Sequence, residues 1–147
     1  LGFQIPRRAW PRRRLLNVWA DDLSMDSLLQ RLDAEGGLVF TINPDHLWHL
    51  QNSAAFTAAY RQADFITVDS QYVHAAMHWL GQGVGATITG SDLMPAYCRR
   101  HAANPEVKIF LLGAKAGVAQ RARERLNAIR VYRDLVTAVR QQLFVEP

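Results

Sequence analysis

Three polar residues stand where apolar runs stop: Thr41 and Asn43 at the end of Leu38-Val39-Phe40-Thr41-Ile42, and Asp69 after Phe65-Ile66-Thr67-Val68. If the two runs are neighbouring parallel strands, these groups meet at one carboxyl edge, where open α/β sheets bind ligands. Strand alternation puts Thr41 and Asn43 on the same face. A carboxylate facing them is placed to take a proton from an attacking hydroxyl. The same positions admit a plainer role, because Asn43 and Asp69 each precede a helical pattern and suit its N-cap. Spacing alone leaves both roles open.

Two glycine-bearing turns extend the set, Thr89-Gly90-Ser91-Asp92-Leu93 and Leu111-Leu112-Gly113-Ala114-Lys115-Ala116-Gly117-Val118. Glycine lets a backbone approach a ligand closely, and a helix N-terminus favours an anion such as a diphosphate. Lys115 is a candidate phosphate contact, although an exposed turn lysine is commoner. Neither turn is the three-glycine dinucleotide fingerprint or a P-loop, which disfavours a nucleotide-binding oxidoreductase. His74 and His78 lie four apart, and His46 and His49 three apart. Neither pair has the intervening Glu of a zinc hydrolase and no Cys cluster supplements them, so no metal is expected.

Helices and strands must position these groups. Leu15 to Ala20 reads as a short first strand. Ser24 suits an N-cap, and Leu28, Leu29 and Leu32 recur at helical spacing until Gly36-Gly37. After the central strand, Pro44 suits the first helical position and Asp45 the positive end of the helix. Ser53 starts a second short helix through Tyr60, and another is expected from Gln71 to about Leu80. Thr87-Ile88-Thr89 reads as extended, Gly90-Ser91-Asp92 opens a helix to about His101, and Lys108 to Leu112 is a further strand. From Val118 the positions Ala122, Leu126, Ile129, Tyr132, Val136, Val139 and Leu143 step by three or four with no Gly or Pro between, predicting one long helix or two abutting ones. Strands alternating with helices predict an α/β fold: a Rossmann-like, mostly parallel sheet with helices on both faces, ending in a long C-terminal helix.

The 147 residues are 49% hydrophobic and 20% charged, a globular composition with no run long enough to span a membrane. The chain opens on Leu1 rather than Met, as a fragment or trimmed chain would. Its net charge of +4 is polarised: residues 1–14 hold five Arg and no acid, and residues 121–147 hold six Arg against three acids. The middle is therefore net −4. Such basic ends fit an anionic membrane face at least as well as nucleic acid, each Arg adding on the order of 1 kcal/mol near the surface. Phe3, Ile5 and Trp10 read as interfacial anchors in a basic arm. Solvated tails are the plainer reading. Cys98 is the single cysteine, so a reducing cytoplasm is the default. Asp21-Asp22 cut short the apolar run that a signal peptide would need after its arginines.

In chain order, Thr41-Ile42-Asn43-Pro44-Asp45-His46, Ala63-Asp64 to Val68-Asp69, Thr89-Gly90-Ser91-Asp92-Leu93, and Phe110-Leu111-Leu112-Gly113 with Gly117-Val118-Ala119 resemble the WecG/TagA/CpsF glycosyltransferase family. The resemblance covers about residues 15–127. It implies inverting transfer of a hexose or N-acetylhexosamine-type sugar from a UDP-sugar to a polyprenyl-diphosphate-linked acceptor at the cytoplasmic membrane face. It further implies Asp69 as general base and Thr41 as a pocket residue. Asn43, Asp45, Gly90, Ser91, Asp92, Gly113 and Lys115 are then expected around the substrates, with no cofactor, no metal and no nucleic-acid partner.

Two departures stand out: Ser70 follows Asp69 where the family usually has Gly, and residues 128–147 do not resemble the family's continuation. The sequence thus divides into a basic arm (1–14), a glycosyltransferase core (15–127) and a helical extension (128–147). The alternative function is a catalytically impaired homologue that serves as a binding or homo-oligomerisation module through the apolar stripe from Leu126 to Leu143.

Overall fold

The computed structural model describes residues 9–112, 115, 117–128 and 136–140. They form a mixed α/β chain of six helices and three two-stranded sheets. The chain divides into two compact units, residues 1–93 and 94–147.

The first unit opens with a hairpin, β1 (Arg12–Leu15) antiparallel to β2 (Val18–Asp21). The single strand expected from Leu15 to Ala20 is therefore two strands around a turn at Leu16 and Asn17. Arg12, Arg13 and Arg14, which read as part of a free arm, are strand residues, since a charged run conceals a strand whose partner supplies the backbone bonds. Trp10 is no lipid anchor either. Its ring stacks on Phe65 at 5.4 Å, with the Arg31 guanidinium 4.0 Å from its centre on the face of the indole. Phe3 and Ile5 lie outside the described residues.

Helix α1 (Met25–Glu35) starts on Ser24, whose hydroxyl accepts the Ser27 N–H, and stops at Gly36, in the left-handed region at φ 66°. At Gly37, φ is 131° and a Cβ would stand 3.0 Å from that of Asp64, so a side chain there meets both strain and a clash. The parallel pair follows: β3 (Val39–Ile42) and β4 (Phe65–Val68), with Thr41 beside Thr67 and Ile42 beside Val68. Between them run α2 (Pro44–Asn52) and α3 (Ala54–Tyr60), capped by Asn43 and Ser53. Then come α4 (Gln71–Trp79), capped by Ser70, and α5 (Gly90–Arg100).

Side-chain alternation gives the pair two covered faces. Phe40, Ile42, Ile66 and Val68 pack with Leu50, Tyr60, Val73 and Met77 from α2, α3 and α4. Val39 and Phe65 pack with Leu28, Leu32, Ile88 and Leu93 on the other side. Strand β4 is buried throughout, whereas only Ile42 is buried in β3, so β4 is the inner strand.

The free edge of β4 is closed by a carboxylate. Phe65 and Asp69 direct their N–H groups to Leu38 and Ile42 next to it, which leaves Ile66 and Val68 for the opposite edge. There the Val68 carbonyl accepts the Ile88 N–H at 2.9 Å, and the Ile66 N–H donates to Asp21 Oδ2 at 2.6 Å. Asp21 Oδ1 receives the Trp10 Nε1–H at 2.8 Å and pairs with Arg12 Nε at 2.9 Å. The Asp21 side chain is fully buried, so its charge is stable there only with these donors.

In the second unit β5 (Ile109–Leu112) and β6 (Val136–Arg140) form another parallel pair, with α6 (Val118–Ala128) between them in sequence. Cys98 is buried among Met94, Ala102, Val107, Ile109 and Leu126, and burial pushes its thiol pKa up. The long C-terminal helix does not form: residues 136–140 are a strand. Val136, Val139 and their neighbours recur at helical spacing, but Val136-Thr137-Ala138-Val139 also suits a strand, and pairing with β5 decides. Ile129, Tyr132 and Leu143 lie outside the described residues.

Replacing Asp21 by Ala leaves a largely buried guanidinium without its carboxylate and a strand N–H without its acceptor. Urea denaturation is expected to show a loss of about 3–5 kcal/mol, a large part of a small domain's stability. Glu35→Ala, which breaks a largely exposed pair with Arg31, should cost under about 1 kcal/mol. Equal losses for the two variants would show that Asp21 does not close the edge.

Candidate active site

Two strand-to-helix junctions, β3–α2 and β4–α4, and the start of α5 supply the polar groups, and each carries its own cap. Asn43 Oδ1 accepts the His46 N–H at 2.8 Å, Ser70 Oγ accepts the Val73 N–H at 3.4 Å, and Thr89 Oγ1 accepts the Asp92 N–H at 3.0 Å. Capping is therefore the observed role of Asn43. It is not that of Asp69, because Ser70 performs it for α4.

The half-buried Asp69 carboxylate instead faces the start of α5, where Oδ2 accepts the Gly90 N–H at 3.3 Å. A Cβ built on Gly90 would lie 3.8 Å from Thr41 Oγ1. Thr41, Asp69 and Gly90 thus converge at the carboxyl edge of the β3–β4 pair, with Asn43 two residues beyond Thr41. One backbone and one side-chain bond hold the arrangement: the Asp69 N–H donates to the Ile42 carbonyl, and the Thr67 hydroxyl donates to the Ile88 carbonyl at 2.9 Å. Gly90 is the first residue of α5, so the carboxylate sits at the positive end of that helix.

The other expected residues are placed differently. Asp45 is exposed, with Oδ2 3.7 Å from His49 Nε2. Ser91 and Asp92 are exposed and bond Thr89, whose hydroxyl lies 2.8 Å from each side chain. Lys115 is exposed in the second unit, and Gly113 lies outside the described residues. His74 and His78 each bring Nε2 to within 3.0 Å of the Val84 carbonyl oxygen. A cavity of about 380 Å³ between α2 and α3 is lined by Leu50, Ser53 and Thr57 among others. Its polar atoms serve local structure, since Thr57 Oγ1 donates to the Leu50 and Ser53 carbonyls.

Sequence reasoning missed Tyr60 and Asp21, and it singled out the Thr89 turn without assigning Thr89 as the cap. Thr89-Gly90-Ser91-Asp92 carries a capping-box spacing that was legible. Tyr60 had no local signal: its hydroxyl lies 2.7 Å from His46 Nδ1, a pairing across fourteen residues. Burial first, and the Asp69 charge second, push the Tyr60 pKa far above its ordinary 10.0. The neutral hydroxyl and the imidazole share one hydrogen bond, and which of them donates depends on the tautomer of His46.

A parallel strand pair covered on both faces, with polar groups and a helix N-terminus gathered at its carboxyl edge, makes this a mixed α/β chain whose sheet edge has the form of a ligand site. The family model of the WecG/TagA/CpsF glycosyl transferases matches residues 13–145, and the chain belongs to that family. The match runs past residue 127, so residues 128–145, which did not resemble the family's continuation, fall within it. Comparison with individually curated proteins gives no match. Membership places the chain among glycosyltransferases of cell-surface polysaccharide synthesis, with sugar donors and acceptors as substrates. Among the described residues no helix is long and apolar enough to cross a membrane.

The raised Tyr60 pKa makes an alkaline prediction. The unfolded tyrosine ionises from about pH 10 while the folded one keeps its proton, so stability present below pH 10 is lost as pH rises toward the folded value. Denaturation midpoints should fall above pH 10 in the wild type and fall less in Tyr60→Phe. Parallel curves for the two proteins would contradict the buried, protonated assignment.

Proposed function

We propose that the chain transfers a hexose or N-acetylhexosamine-type sugar from a UDP-sugar to a polyprenyl-diphosphate-linked acceptor, with inversion, and that Asp69 is the general base. The observation that carries this reading is the Asp69 carboxylate, not consumed as a cap and held against Gly90 beside Thr41. In the proposed step the carboxylate takes the proton of the acceptor hydroxyl as that oxygen attacks the anomeric carbon. The bond from that carbon to the diphosphate oxygen breaks, and UDP leaves with the electron pair. Backbone N–H groups at helix starts favour the leaving anion.

Thr41 and Asn43 line the pocket in this proposal. Asp45, Gly90, Ser91, Asp92, Gly113 and Lys115 are carried with it as substrate contacts implied by the family. The Rossmann-like arrangement and a cytoplasmic position, peripheral on the inner membrane face, belong to the same proposal. Supporting the last are the arginines at both ends of the sequence. The alternative of a non-catalytic oligomerisation module drew on a continuous helical stripe from Leu126 to Leu143, and the strand at Val136–Arg140 interrupts that stripe.

Asp69→Asn preserves size and an acceptor oxygen for Gly90 while removing basicity. Transfer from a UDP-sugar to a polyprenyl-linked acceptor is expected to fall by about 10²–10⁴-fold, with the fold intact by circular dichroism. A variant that retains most of its rate would end the assignment of Asp69 as base.

A further inference from the structure

We propose that the outer face of α4 and the tip of the β1–β2 hairpin together form a docking surface for an anionic lipid bilayer. A surface helix ordinarily turns charged residues to solvent. On α4 the inward side chains Val73 and Met77 are buried, yet one outward stripe is also apolar: Tyr72 and Trp79 are each 86% exposed, and Ala75 and Ala76 are exposed between them, with the uncharged Gln71 and the imidazole of His78 exposed alongside. Leu80, 59% exposed, continues the patch. From Ser70 to Ser91 the sequence has no Asp, Glu, Lys or Arg.

The hairpin tip adds a second, independent oddity. Leu16 has φ 51° and is 56% exposed. A leucine in the left-handed region costs roughly 1–2 kcal/mol, which Gly or Asn avoids, and this side chain gains nothing from the core. The two features are joined, because the Arg14 N–H donates to Gln82 Oε1 at 3.3 Å just past the end of α4.

Charge selects the occupant. Arg13 and Arg14 are exposed beside Leu16, with Arg13 3.4 Å from Asp22 and Arg14 Nε donating to the Leu16 carbonyl at 3.1 Å. Trp, Tyr and Leu flanked by Arg are what a segment lying in a membrane interface presents. A second copy seated on the same patch would bring these arginines toward their own equivalents across a two-fold axis. Resting on the proposed lipid-linked acceptor, the surface also has a use. Helix α4 is nine residues long, about 13 Å, and begins next to Asp69, so a domain lying on α4 holds that carboxylate within one helix length of the headgroups.

Flotation of the full chain with vesicles decides the matter. Recovery is expected on equal parts phosphatidylglycerol and phosphatidylcholine, and little on phosphatidylcholine alone. Trp79→Glu should lower vesicle affinity by roughly tenfold or more. Leu16→Asn should lower it too while leaving the melting temperature unchanged or higher, because Asn tolerates the left-handed region, and that opposition excludes misfolding as the cause. Unchanged recovery of both variants, or equal wild-type recovery on both vesicle types, overturns the proposal. A concentration-dependent dimer abolished by Trp79→Glu, without flotation, would assign the patch to a second copy and overturn it equally. Calorimetric titration of the same samples with UDP separates the two readings: UDP binding without flotation removes the docking surface alone, and flotation without UDP binding removes the transferase reading alone.

Discussion

The Asp21 carboxylate against the edge of β4 is the interaction on which the first unit depends. A strand buried throughout needs partners for the polar groups on both its edges, and among the described residues β4 has one neighbouring strand in its sheet. The side chain of Asp21 takes the place of a third strand's carbonyl at Ile66, and the segment at Ile88 serves Val68. Burying a carboxylate costs several kcal/mol, offset here by an arginine, an indole N–H and a main-chain N–H on its two oxygens. Arg12 and Asp21 face each other across the hairpin, so the same ion pair closes the hairpin and fastens it to β4.

From that anchored strand the site follows. Asp69 directly follows β4, so its position is set by the bonds that hold the strand. Because Asn43, Ser70 and Thr89 cap the three helices around it, the Asp69 carboxylate is not spent on local structure. The division of labour matters for the proposed role: among the described residues the half-buried carboxylate is bonded at one oxygen, to Gly90, and beside Thr41 its other oxygen is the one the proposal gives to a substrate proton. On the other face of the sheet Tyr60 and His46 are locked together, close enough for the Asp69 charge to act on Tyr60.

What the sequence made legible was local chemistry. Ser24, Asn43 and Ser53 announced their helices because a cap bonds an N–H three residues away. Gly36 announced an ending because the chain must turn left-handed there. What it concealed depends on distant partners. Nothing near Asp21 reveals that Ile66, forty-five residues on, will need its oxygen. The arginine run hid β1, since the pairing that makes it a strand lies in β2. Val136 to Arg140 fitted a helical period by coincidence of spacing, and β5 made it a strand. Of the site, Thr41, Asp69 and Gly90 were legible because strand ends and glycine turns mark sheet edges, whereas Tyr60 was not because its role exists only once α3 is folded against His46.

The central claim is that the carboxyl edge at Thr41, Asp69 and Gly90 is where a nucleotide sugar binds. Amide NMR of the uniformly ¹⁵N-labelled chain, titrated with UDP, tests it most directly. Saturable shifts are predicted at Thr41, Asp69, Gly90 and the first turn of α5, with the amides of α1 and the α2–α3 cavity unmoved. Shifts confined to that cavity, or none at the edge at saturating nucleotide, would contradict the account.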